Sequence, residues 1–102
     1  MEFLVIAFDG EDDRATERRL AARPAHLELV SKLTADGKFL YGTAILDDSE
    51  RMIGTSLVCE FSSRTQLDAW LEVEPYVTGK VWQRIEVHRC KSGAAFARKA
   101  TT

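Results

Sequence analysis

The chain has 102 residues, 45% hydrophobic and 29% charged, with six glycines and two prolines, a length that suits one domain with a single core needing no disulfide staples. Fourteen Lys and Arg against sixteen Asp and Glu give a net charge of −2 and a pI near 5.7, which lacks the basic stripe of a nucleic-acid binder. No apolar run is long enough for a membrane span, and Met1-Glu2-Phe3 has neither the basic start nor the cleavage site of a signal peptide, so a cytoplasmic protein is expected.

Glu2 to Asp9 predicts a first strand in which Phe3, Val5 and Ala7 face one way and Leu4, Ile6 and Phe8 the other. Gly10-Glu11-Asp12-Asp13 breaks it. Its acids lack the spacing and distant Glu of a calcium loop, so they read as a solvated turn. Leu20, Leu27, Val30 and Leu33 recur at helical spacing and predict a helix over 15–35. Pro24 suggests dividing it into 14–22 and a longer segment from 24, because Pro is accepted at a first turn and resisted in a helix interior. Gly37 is a suitable stop.

Lys38 to Leu46 predicts a second strand, with Gly42 at a position that fits a bulge or a close approach. Asp47 to Glu50 turns the chain into a third strand, Met52 to Phe61, with Leu57, Cys59 and Phe61 on one face. Ser62 or Ser63 ahead of Gln66 is a capping signal for a helix from Arg64 to Glu72. Glu74 to Gly79 reads as an irregular connection, and Val81 to Cys90 as a fourth strand. The domain is expected over 1–90, followed by a flexible tail over 91–102.

The order β-α-β-β-α-β predicts an α+β, ferredoxin-like domain: one four-stranded antiparallel sheet with two helices on one face. The first strand is apolar on both faces, and Val58 and Leu40 add further apolar positions. The second face therefore calls for a cover, and a homodimer packed sheet against sheet supplies it. The ligand cleft is expected at the sheet ends, near the partner.

Cys59 and Cys90 stand apart in strands and read as reduced, buried thiols. No motif for a metal ion or an organic cofactor is present, so none is expected. His88 shares the polar face of the last strand with Trp82, Arg84 and Glu86 and reads as an ordinary surface residue. His26 lies on the apolar side of its helix, with Arg19 and Arg23 near the same side. Polar groups there must be paired or line a cavity. If a helix begins at Pro24, His26 falls in its first turn, where the dipole disfavours an imidazolium, and close to the strand end bearing Asp9. Asp9 would then orient His26 as a general base. The alternative is a structural histidine with both nitrogens satisfied. Glu74-Pro75-Tyr76 could wall a cleft, offering a carboxylate and a hydroxyl to a ligand, or could be a solvated turn with a packed tyrosine.

Arg19-Leu20-Ala21-Ala22-Arg23-Pro24-Ala25-His26-Leu27 resembles the R-L-x-x-R-x-x-H-L signature of the YciI-like (YCII-related) proteins. Asp9, Gly42 and Glu74-Pro75-Tyr76-Val77 extend the resemblance over about residues 1–90, with Glu74 in place of an aspartate and Gly42-Thr43 in place of a Gly-Pro. The resemblance implies a dimeric α+β barrel and an active centre of His26 with Asp9, with Arg19 and Arg23 as anion holders. Relatives include a dehydrochlorinase of a chlorinated hydroxyquinol. The expected function is a cofactor-independent lyase or isomerase acting on a small aromatic or carbonyl-bearing molecule, with Glu74 and Tyr76 also contacting it. The competing expectation is a non-catalytic ligand-binding or accessory homodimer.

Overall fold

Alternation decides the faces of β1 (Glu2–Asp9) in the computed structural model of the protein, which describes residues 1–96. Phe3, Val5 and Ala7 are buried, while Leu4, Ile6 and Phe8 are half-covered on the opposite face. The chain continues through α1 (Ala15–Ala35), β2 (Phe39–Leu46), β3 (Met52–Glu60), α2 (Arg64–Leu71), α3 (Pro75–Thr78) and β4 (Trp82–Cys90). The strands form one sheet in the order β2-β3-β1-β4, with every neighbouring pair antiparallel. This is the ferredoxin-like α+β arrangement expected from the element order.

The core lies between the sheet and the helices. Phe3, Val5 and Ala7 meet Leu57 and Cys59 of β3, Leu67 and Trp70 of α2, and Tyr76, Val81 and Trp82. Trp70 sets its ring edge-on to Phe39, with centroids 5.1 Å apart. Ser63 caps α2 as its sequence suggests, its side chain accepting from Gln66 N at 3.2 Å. Gly37 adopts φ 75° just past α1, where Lys38 N donates to Leu33 O at 2.8 Å and closes the helix end.

The division of the first helix at Pro24 does not occur: α1 runs unbroken through it. Pro24 is exposed, as is Leu20, whose carbonyl loses its intrahelical donor and can turn to water. Packing of Ala22, Leu29, Val30 and Leu33 on the core holds the helix across the gap. The connection before β4 is also more ordered than expected. Glu74 is the N-cap of α3, a single turn with Pro75 at its start.

Two bulges set the positions that matter for the site. In β2 the register jumps between Phe39 and Tyr41, so Leu40 is the extra residue, and Gly42 beyond it pairs with the buried Leu57. In β4 the jump between Arg84 and Trp82 opposite Phe8 and Asp9 makes Gln83 the extra residue. Trp82 is thereby turned into the core, away from Arg84, Glu86 and His88, with which plain alternation had grouped it. His88 is exposed and contacts Glu86 at 3.2 Å. The residues after β4 begin with an anchor, since Ser92 N donates to the Glu2 carboxylate at 3.1 Å. The remainder of the expected tail, 97–102, lies outside the described residues. None of the described helices is long and apolar enough to cross a membrane.

Candidate functional site

Helix α1 leaves part of β2 uncovered, and Gly42 and Ala44 are exposed on the helix side of that edge strand. The space is a cleft of about 340 Å³. Gly42, Ala44, Thr55 and Leu57 form its floor, and Arg23, His26, Leu27 and Val30 of α1 form a wall. Tyr76 and Trp82 close the inner end. The expectation of a site at the sheet ends is therefore corrected for His26. A more polar depression does lie at the end of the sheet, lined by Asp9, Asp12, Arg51 and Arg84, but His26 is not in it.

The carboxylate on His26 is Glu74, not Asp9. His26 Nδ1 is hydrogen-bonded to Glu74 Oε1. The continuity of α1 is the reason: from Ala15, His26 lies about 16 Å along the helix axis at 1.5 Å per residue, well beyond a first turn. The dipole argument built on a helix start at Pro24 falls with it. Arg19, one turn into the helix, faces the end of β1 instead and donates from Nε to Asp9 Oδ2 at 2.8 Å.

Glu74 is wholly enclosed, at 0% exposure. Oε1 also accepts from Tyr76 N at 3.2 Å, and Oε2 accepts from Trp70 Nε1 at 3.1 Å. A carboxylate receiving two fixed N–H donors presents an acceptor to His26, so Nδ1 carries the hydrogen. The other ring nitrogen, Nε2, has no hydrogen-bond partner among the described residues, and the ring lines the cleft. The imidazole is further fixed by stacking on Tyr76, with centroids 3.7 Å apart and planes 9° from parallel, and by Trp82 at 6.0 Å.

Arg19 is committed within the protein. Besides Asp9 it donates to Tyr76 Oη at 3.2 Å, Gly54 O at 3.0 Å and Thr55 Oγ1 at 3.4 Å, and its Cζ lies 4.8 Å from the Tyr76 ring centroid. Asp9 is buried beside it, with Oδ1 lacking a partner among the described residues. Burial pushes the Tyr76 hydroxyl up from its ordinary pKa, with Arg19 partly opposing the shift. Arg23, by contrast, is exposed at the cleft and makes no ion pair with the described residues. Of the two arginines, Arg23 is the one placed to meet an anion.

The structure thus brings Arg19, Asp9, Tyr76, His26 and Glu74 into one connected cluster with Arg23 at its edge, though the pairings differ from those expected. Sequence reasoning missed Trp70, Trp82 and Thr55. Trp70 stands four residues before Glu74, a spacing that brings side chains together at a helix end. Trp82 Nε1 donates to Thr55 Oγ1 at 3.3 Å, a contact created by the β4 bulge that no local pattern announces. Among the described residues, no group of three or more His, Cys, Asp or Glu is arranged to hold a metal ion.

Comparison with known proteins finds the YCII-related domain over residues 1–91. The chain is 29% identical over 93 residues to protein YciI of Escherichia coli, covering 85% of this chain and 93% of that one. YciI of Shigella flexneri matches to the same extent. Among solved structures, a 5-chloro-2-hydroxyhydroquinone dehydrochlorinase from Burkholderia phenoliruptrix, in complex with 2,5-dihydroxybenzoquinone, aligns with a TM-score of 0.79 at 24% identity. It covers 95% of this chain and 100% of its own, a likeness of fold.

Proposed function

As the chain belongs to the YCII-related family, we propose that it is a small lyase or isomerase in which His26 moves a proton on a small aromatic or carbonyl-bearing molecule. One observation carries the reading: a fully buried carboxylate fixes Nδ1, leaving Nε2 without a partner among the described residues on a ring that lines a mostly apolar cleft. That is the arrangement of a base with its orienting group. Nε2 takes a proton from an acidic hydroxyl or from carbon beside a carbonyl, and Glu74 stabilises the imidazolium that forms. The proton then returns at another atom of the substrate, or a leaving group departs with the bonding electron pair and the imidazolium gives its proton to that group or to water. Positioned proton transfer of this kind contributes about 10²–10⁴-fold to rate. Arg23 meets the negative charge of the substrate. Asp9 acts at a distance, holding Arg19 and through it the tyrosine beneath the imidazole. Tyr76 and Glu74 are positioning residues in this reading.

The cleft volume suits a single ring, and the apolar lining favours a flat, unsaturated one. The similar solved structure holds 2,5-dihydroxybenzoquinone, a ring of that kind. The reading includes a cytoplasmic homodimer joined through the open sheet face, where Leu4 pairs with Val58 and Ile6 and Phe8 continue the same face of β1. A thermal-shift screen of small phenols, aromatic acids and 2,5-dihydroxybenzoquinone identifies ligands of the native state. Turnover of a compound so found should fall sharply in His26→Ala with the fold intact. Undiminished turnover in that variant defeats the proposal.

One observation favours a second reading, a non-catalytic ligand-binding dimer: the His26 side chain is only 11% exposed and is stacked flat on Tyr76. That reading expects His26→Gln, which keeps a donor toward Glu74, to retain function. The enzymatic reading expects the same variant to lose it.

A further inference from the structure

Gly42 lies inside β2, and the usual reasons for a glycine in a strand do not apply to it. Gly37 is the glycine with positive φ among the described residues. The bulge of β2 falls at Leu40, whereas Gly42 pairs in register with Leu57. A Cβ built at Gly42 would meet Leu57 Cδ1 at 3.6 Å and Ser56 O at 3.7 Å, which are ordinary contacts. At Gly54, by comparison, a Cβ would come within 2.4 Å of Ala7 O, so backbone packing alone requires that glycine. The fold has room for a side chain at position 42, and an interior strand position is weakened by lacking one.

The space that such a side chain would enter is the cleft. Gly42 is exposed on its floor, and His26 belongs to a wall. We propose that Gly42 is the clearance and specificity residue of the ligand site, its bare Cα letting a planar unsaturated ring lie face-down on β2. The inference rests on the reading of this cleft as the ligand site. Without a Cβ, the Gly42–Thr43 peptide is a flat surface that a conjugated ring approaches to van der Waals distance across its whole face. A puckered ring meets the same surface through a few axial atoms. The site therefore selects by flatness at the floor and by charge at Arg23.

The test uses 2,5-dihydroxybenzoquinone as the flat probe and 1,4-cyclohexanedione as a puckered one, titrated into the full chain and followed by backbone-amide NMR. The wild-type protein should bind the quinone saturably, with the Gly42 and Thr43 amides among those that shift, and should bind the saturated dione more weakly. Gly42→Ala should keep or raise the melting temperature and weaken quinone binding by at least roughly tenfold, as one misplaced methyl group does in a close-fitting pocket. Equal affinity of the wild type and a folded Gly42→Ala overturns the proposal, as does equal binding of the two rings or no saturable quinone binding at all. Failure of the proton-transfer reading is separate: it appears as full turnover in His26→Ala, while Gly42→Ala still weakens the probe.

Discussion

Replacing Glu74 with Met keeps the length of the side chain and removes every acceptor. Three groups then lose a partner inside the protein: Trp70 Nε1–H, the Tyr76 amide and His26 Nδ1. The first two are buried donors with no alternative, and each costs about 1–3 kcal/mol when left unsatisfied. The histidine has a remedy. A hydrogen left on Nδ1 would face a sealed apolar surface, whereas one on Nε2 can reach water in the cleft, so the tautomer switches. The neutral wild-type imidazole should therefore show the Nδ1–H tautomer in long-range ¹H–¹⁵N spectra, and Glu74→Met should show Nε2–H. With its hydrogen moved to the cleft side, His26 cannot act as a base there, and a loss of about 10²–10⁴-fold in turnover follows. The stability loss, roughly 2–6 kcal/mol over two donors, is a large part of what a small domain possesses. Glu74→Gln, which mismatches a single donor at about 1–3 kcal/mol, serves as the milder variant. A wild-type spectrum with Nε2–H refutes the argument outright, whatever the variants do.

Arg19→Met should destabilise the protein by about 3–5 kcal/mol in urea denaturation, because it strands the buried Asp9 carboxylate, and adding Asp9→Leu should recover much of the loss; a single-variant loss below about 1 kcal/mol would contradict the buried-pair assignment. Val58→Glu places a charge in the middle of the open sheet face, so sedimentation should show the wild type as a dimer and the variant as an 11.5 kDa monomer, while a monomeric wild type ends the dimer proposal. The Cys59 thiol is pushed by burial from its ordinary 9.0 up to about 12, so its contribution to stability is complete below pH 9.0 and declines as pH rises toward 12. The decline is about 1.4 kcal/mol per pH unit for one proton, and Cys59→Ala should flatten the alkaline limb; an unchanged slope would mean that the thiol is not buried.

Much of this fold is written in short-range pattern. The alternation of Phe3, Val5 and Ala7 with Leu4, Ile6 and Phe8 predicts both faces of β1, and Ser63 with Gln66 marks the start of α2 within a residue. What local pattern misreads is where tertiary structure outweighs propensity. Pro24 looks like a boundary because a helix interior resists it, yet a helix already fixed to the core by Leu29, Val30 and Leu33 carries the proline on its solvent side. That one difference moved His26 away from Asp9 and onto Glu74. The bulge at Gln83 is similarly silent in sequence, and it alone turns Trp82 from a surface position into the back wall of the cleft. The members of the cluster were legible because buried charge on an apolar helix face must have partners; the pairing was not, because it depends on axial position and strand register.

Glu74 also links the orientation of His26 to the folding of the turn before β4. The same Oε1 that faces His26 accepts the Tyr76 amide as the cap of α3, and α3 is what holds the Tyr76 ring against the imidazole. Orienting the imidazole and folding the turn are thus a single set of hydrogen bonds. A glutamate can serve where the family signature has an aspartate because its carboxylate spans three donors on three elements: the turn amide of α3, the indole of α2 and the ring on α1. Glu74→Asp keeps a competent N-cap but shortens the reach by one methylene, so the nearer Tyr76 amide is retained and the Trp70 and His26 contacts compete for what is left. The residue that decides the tautomer of His26 therefore also ties its helix to α2 and α3.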